Sequence, residues 1–239
     1  INMRYALFHC FDDAACLQAS YKGDGILLST VNTPYKSDYD SAKYSGADDF
    51  AYDLDLAREY LDKYAQETGK SLDEVQITIL TENKSAWEKM AQVIQASIIE
   101  LFGRESACTI LSLDANTTST TLTDPSAYDL YIVTGGAEQT YATSFYSKYM
   151  DADTTSTGYS GCFIEDAKFQ ELLKATLAED THSVETVNAF QDYLAEQAYY
   201  TGVMCGKTYM VAADWVQTLL KGPKACIAVC GLEYDWAAK

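Results

Sequence analysis

Apolar residues recur at helical spacing through most of this chain, and short apolar runs of strand length interrupt them. From Asn2 to Lys22 the pattern predicts two short helices, Tyr5 and Phe8 marking one and Cys16 and Leu17 the other, with Asp12 and Asp13 between them as a cap. Gly23-Asp24-Gly25 reads as a turn and Ile26 to Val31 as an extended apolar piece. Asn32 to Phe50 lacks periodicity and reads as a long surface loop. Asp53 then caps a helix whose stripe is Leu54, Ala57, Leu61, Tyr64 and Ala65, with Gly69 as its stop. Val75, Ile77 and Ile79 alternate as in a strand. Ser85 with Glu88 has the spacing of a capping box, opening a helix through Trp87, Met90, Ile94, Ile98 and Leu101 to Gly103. Cys108 to Leu113 is a second strand, so residues 75 to 113 read as strand, helix and parallel strand.

A Thr/Ser run, Asn116 to Thr123, and a turn at Asp124-Pro125 lead to Leu130 to Val133, apolar and β-branched enough for a buried strand. This strand runs into Gly135-Gly136, where the backbone permits close approach, and then to the carboxylate of Glu138. Asp151 to Gly158 is a polar loop, and a turn at Gly158 to Gly161 precedes two helices. Phe169, Leu172, Leu173 and Leu177 share a face of the first; Ser183 caps the second, which carries Val187, Phe190, Leu194 and Ala198. Thr201 to Ala212 is extended, Asp214 to Leu220 helix-like, and Lys224 to Leu232 a strand. No internal repeat or Pro-rich linker divides the chain, and the expected fold is one α/β domain, a mixed sheet with flanking helices.

The net charge of −18 disfavours nucleic acid and anionic lipid as partners. No window reaches the roughly 18 apolar residues of a membrane span. Ile1 opens the chain without a signal pattern, as in an excised piece or a processed chain. Seven scattered cysteines, an odd number, fit buried thiols better than a disulfide framework. Neither His9 nor His182 lies near a cysteine pair of metal-site spacing, so no metal and no cofactor is expected. His9 adjoins Cys10, but helical neighbours point apart, and no nucleophile elbow or phosphate loop is present, so no enzyme activity is expected. Carboxylate pairs such as Asp12 with Asp13 and Asp151 with Asp153 read as solvated surface charge. Nineteen tyrosines also fit a free-standing carbohydrate- or protein-binding domain.

Four segments, in order, carry a family resemblance. They are MRYALFHCFDDA from Met3, YDLDLAREYLDKY from Tyr52, YDLYIVTGGAEQTYATSF from Tyr128 and GYSGCFIEDAKFQELL from Gly158. In them the chain resembles the C-terminal lobe of the family 5 extracellular solute-binding proteins, the oligopeptide- and dipeptide-binding components of ABC importers. Asp13 stands where the family has Arg, and Leu54 where it prefers Pro. The resemblance implies one lobe of a type II periplasmic-binding-protein clamshell over residues 1–205, with residues 206–239 as a hinge return or terminal segment packed on the same lobe. It further implies an upstream first lobe, signal peptide and lipid anchor, an extracellular or periplasmic location, a peptide or similar solute as ligand, and an ABC permease as partner. By position Glu138 takes the role of the family's amine-binding Asp, on a loop with Gly136, Ala137 and Gln139. Gly136 and Gln139 replace the family's Trp and Tyr, which removes an aromatic wall that Tyr141 and Tyr159 would restore.

Overall fold

The computed structural model describes residues 1–34, 36–43, 50–133, 141–150, 164–207, 216–218 and 233–234. Asp12 separates the first two helices, α1 (Asn2–Cys10) and α2 (Asp13–Tyr21), by accepting a hydrogen bond from the Ala15 amide at 2.8 Å. His9 of α1 is a core histidine. It stacks on Tyr60 at 5.7 Å and its Nδ1 lies 3.0 Å from the Ala51 carbonyl oxygen. Asp13 departs from the reading of the acid pair as solvated: burial, with the charge of Asp12 added, pushes its carboxyl up to about 8.

A short strand, β1 (Gly25–Leu27), follows, and then helix α3 (Leu54–Thr68), capped by Asp53, whose side chain accepts from the amides of Asp55 and Leu56. Ala57 and Leu61 are its buried stripe and Gly69, at φ 66°, ends it. The parallel sheet comes next: β2 (Ile77–Glu82), helix α4 (Ser85–Phe102) and β3 (Cys108–Leu113), then helix α5 (Ala115–Thr121) and β4 (Leu130–Tyr131). Its order is β3-β2-β4, with Ile77 opposite Cys108 and Ile79 opposite Leu130, both pairings parallel. Being central, β2 is buried on both faces from Ile79 to Glu82, so it does not show the alternation of a half-buried strand.

The capping box expected at Ser85 and Glu88 does not form. Asn83 donates to the Leu113 carbonyl at 2.7 Å, which prolongs the strand edge and makes Lys84 the N-cap. Glu88 instead accepts from the Ser112 hydroxyl at 2.7 Å, tying α4 to β3. The Thr/Ser run forms α5 because Asp114 caps it, accepting from the amides of Asn116 and Thr117. Ser119 and Thr120 donate back to carbonyls four residues earlier.

Three further helices complete the core: α6 (Thr143–Tyr149), α7 (Ala167–Leu177) and α8 (Val184–Glu196). Ser183 caps α8 in a reciprocal box with Thr186. Against these helices the expected surface loop is in part an interior thread. Thr30, Asn32, Thr33, Lys36, Asp38, Tyr39 and Phe50 are buried. Several polar groups of this segment find internal partners: Asn32 Nδ2 donates to Tyr146 Oη at 2.6 Å and to Gln191 Oε1 at 3.1 Å, and the Asp40 backbone exchanges hydrogen bonds with the Asn188 side chain. Strand β5 (Met204–Gly206) pairs antiparallel with β1, Gly25 opposite Gly206. Within the piece expected to be helical, β6 (Val216–Thr218) is a strand paired antiparallel with β7 (Glu233–Tyr234); tertiary pairing overrides a weak local helical pattern there. The strand expected at Lys224 to Leu232 lies outside the described residues.

Cys10, Cys16 and Cys108 are buried free thiols and Cys205 a half-buried one. Burial holds Cys16 up at about 12 and Cys108 at about 11, with Cys10 raised as well, which leaves these thiols unreactive at neutral pH.

Candidate functional site

Among the residues singled out from the sequence, Gly136, Ala137, Glu138, Gln139 and Tyr159 lie outside the described residues. Tyr141 is described: it is half exposed and stands just before α6. The start of that helix is held by Asp38, which accepts from the Ala142 amide at 2.6 Å and from the Thr143 amide at 3.3 Å and hydroxyl at 3.2 Å. His182 approaches the same carboxylate, Nε2 to Oδ2 at 3.8 Å. A buried carboxylate from the interior thread thus fixes the element that follows residues 134–140.

Sheet order places the site. From β2 the chain passes through α4 to β3 on one side, then crosses back to lay β4 on the other, so a crevice opens outside the carboxyl ends of β2 and β4. A cleft of about 180 Å³ occupies that point, lined by Glu82, Lys84, Trp87, Tyr131, Val133, Lys148 and Tyr149. Glu82 ends β2 with its side chain 5% exposed, and its Oε2 lies 2.7 Å from Lys84 Nζ. The contact is an ion pair without the angular geometry of a hydrogen bond. Lys84 Nζ also sits 4.1 Å from the centre of the Trp87 ring, and Lys148 Nζ 4.9 Å from that of Tyr149.

A larger chamber of about 850 Å³ adjoins the cleft and shares Trp87, Tyr131, Val133 and Tyr149 with it. Its walls are mostly apolar: Phe8 of α1 and Phe11 just after that helix, Met90 and Ile94 of α4, Phe145 of α6 and the run Tyr199 to Gly206. The volume falls within the roughly 300–1,000 Å³ of small-molecule sites. Glu82, Lys84 and Lys148 are the charged side chains of the smaller cleft, and Arg4, Asp129 and Glu165 those of the larger chamber. Among the described residues no group of three or more His, Cys, Asp or Glu is placed to hold a metal ion. The arrangement is suited to enclosing a solute between aromatic faces and fixed charges.

Sequence reasoning passed over Glu82, Lys84, Trp87, Lys148 and Tyr149. A signal was present for the first three, since a Glu and a Lys at the end of a buried strand, followed by a Trp in the next helix turn, stand at the carboxyl edge where α/β sheets bind ligands. Lys148 and Tyr149 gave none, because their place depends on how α6 packs.

Residues 1–163 match the profile described as bacterial extracellular solute-binding proteins, family 5 Middle. Among solved structures, a dipeptide-binding protein from Pseudoalteromonas sp. SM9913, in complex with Met-Leu, superposes with a TM-score of 0.69 at 19% identity, over 98% of this chain and 45% of that one. The oligopeptide-binding protein AppA from Bacillus subtilis, in complex with a nonapeptide, gives 0.71 at 17% identity, over 94% and 45%. NikA from Staphylococcus aureus, in complex with Ni(L-His)2, gives 0.64 at 16%, over 94% and 46%. The likeness shows the fold, that of type II periplasmic binding proteins, and the chain spans a little under half the length of these three. No curated protein matches the chain.

Proposed function

Because this chain belongs to the bacterial extracellular solute-binding proteins of family 5, we propose that it is one lobe of a clamshell that captures oligopeptides outside the cytoplasm for an ABC importer. The observation that carries the proposal is the aromatic-walled, charged cleft at the carboxyl ends of β2 and β4, directly preceding residues 134–140. In this reading residues 1–205 form the lobe and residues 206–239 the return towards a first lobe that the parent protein supplies. Glu138 takes the ligand's amine, since a charge-assisted hydrogen bond in a closed cleft is about twice as strong as a neutral one. Gly136, Ala137 and Gln139 carry that loop, with Tyr141 and Tyr159 adding aromatic surface. The protein acts by binding, without chemistry, and delivers its solute to a membrane permease, held near it by an extracellular anchor upstream.

Among the described residues no helix is long and apolar enough to cross a membrane. The test is calorimetric titration of the full-length parent with a library of di- to hexapeptides. Binding of at least one peptide, lost in Glu138→Gln, is the expected result. Binding of another solute and of no peptide would overturn the peptide assignment. Half a clamshell makes half the contacts, so the 239-residue chain alone is expected to bind weakly or not at all.

A further inference from the structure

On that reading of the cleft, we infer that Asp38 is a positioning residue for it and that His182 makes the positioning proton-sensitive, Asp38 holding α6 more firmly when the imidazole is charged. Helix α6 gives the cleft Lys148 and Tyr149 while burying Phe145 and Tyr146 in the core. Its N-cap is Ala142, whose side chain offers no acceptor, and the carboxylate of Asp38 stands in from 104 residues earlier in the chain. Oδ1 takes the Ala142 amide at 2.6 Å, and Oδ2 takes the Thr143 amide at 3.3 Å and hydroxyl at 3.2 Å. A carboxylate has about four lone-pair sites, so one is left over, and the remaining partner is His182 Nε2, 3.8 Å from Oδ2.

The imidazole is oriented by its other nitrogen. His182 Nδ1 lies 2.8 Å from the Thr176 carbonyl oxygen, which can only accept, so Nδ1 carries the hydrogen. In the neutral ring Nε2 is then bare and turns a lone pair towards the carboxylate. Protonation converts that contact of two acceptors into an N–H facing an oxygen anion. The His182 side chain is 32% exposed and that of Asp38 3%, so protons reach the ring from solvent while the carboxylate stays behind it. The thread brings Lys36 and Asp40 on either side of Asp38, and the start of α6 the Thr143 hydroxyl. Nearest in sequence to the ring are exposed Lys174 of α7, Glu179 and Asp180 of the connection and Glu185 of α8, whose summed charge is negative and does not repel an imidazolium. The ion pair exists only with the ring charged, so the added hold is present at low pH and is lost as pH rises through the range in which histidines titrate, about 5 to 8.

The experiment follows hydrogen exchange of the full-length parent by mass spectrometry at about pH 5.5 and about pH 8, with each rate divided by the intrinsic rate at that pH. The quantity read is the ratio of protection in residues 143–149 between the lower and the higher pH. In the wild type it is expected to exceed that of His182→Gln, and that of Asp38→Asn, by about two- to fivefold, the equivalent of one partly exposed ion pair. Comparison with the variants removes pH effects from elsewhere, such as Asp13, whose folded carboxyl titrates at about 8. A merely structural His182 would lower protection equally at both pH values and leave the ratio alone. Calorimetry with a library peptide carries the change to the cleft: the gain in affinity at the lower pH is expected to be larger in the wild type than in His182→Gln. A ratio unaltered in both variants overturns the inference. A change in protection with no matching change in affinity overturns the role in the cleft while peptide capture stands. Failure of every peptide to bind removes the proposed function and the role in the cleft with it, and the exchange ratio still decides the hold on α6.

Discussion

Replacing Asp38 with alanine tests whether the thread through the interior holds α6 in place. The residue is 4% exposed, and its carboxylate accepts from the Ala142 amide at 2.6 Å and from the Thr143 amide and hydroxyl at 3.3 and 3.2 Å. Ala142 is fully buried, so without Asp38 its amide has lost its acceptor where water does not reach, at a cost of about 1–3 kcal/mol. Thr143 is half-buried and recovers part of its bonding from solvent, adding about 1 kcal/mol. The sum is about 3 kcal/mol for Asp38→Ala. Asp38→Asn keeps the volume and one oxygen and is expected to cost about half of that, by the loss of charge assistance. His182 is a third exposed and its approach to Asp38 is a loose 3.8 Å, so His182→Ala is expected to cost no more than about 1 kcal/mol. Urea unfolding followed by circular dichroism at pH 7 reads all three, with the order Asp38→Ala, Asp38→Asn, His182→Ala and an unchanged m-value. A cost under about 1 kcal/mol for Asp38→Ala would refute the claim that this carboxylate fastens α6.

Gly202→Ala is expected to destabilise the chain by about 3 kcal/mol, read as a lower melting temperature. An added Cβ falls 1.7 Å from the Thr30 carbonyl oxygen and 2.9 Å from Leu28 Cβ, so the backbone beside β1 and β5 has to separate. Asp166→Asn is expected to lower stability in a pH-dependent way. The hydroxyls of Tyr193, at 2.6 Å, and Tyr199, at 2.9 Å, hold the Asp166 carboxyl below its ordinary value. Because the folded value is the lower one, its contribution is present above the ordinary aspartate range near 3.9 and fades as pH falls through the folded value. The gap between wild type and Asp166→Asn should therefore be constant from pH 6 to 8 and close below about pH 4; a gap that widens on acidification would contradict the assignment.

Local rules account for much of what the sequence made legible. Asp53, Ser183 and the left-handed Gly69 and Gly103 bracket helices because capping and positive φ act within a turn of chain. Ile77 to Glu82 and Cys108 to Leu113 read as strands because β-branched and apolar residues recur at short spacing in both, and the two segments pair in parallel. Residues 32–40 misled because Asn, Asp, Ser and Thr look solvated in sequence, whereas Asn32, Asp38 and Asp40 find partners more than 100 residues away. The same limit hid the cleft: Glu82 and Lys84 are two residues apart and visible together, but Tyr131 and Lys148 join them only through strand order and helix packing. The stretch 214–220 failed for want of length, since three residues of strand carry little periodicity and depend on Glu233 and Tyr234 for pairing.

The central claim is that solute binds at the carboxyl edge of β2 and β4. Hydrogen exchange read by mass spectrometry on the full-length parent, with and without a peptide drawn from the library, tests it most directly. Protection on binding is expected to concentrate in residues 82–87, 131–133 and 145–149. Protection confined to the opposite edge of the sheet, around Ile77 and Cys108, with residues 82–87 unchanged, would contradict it.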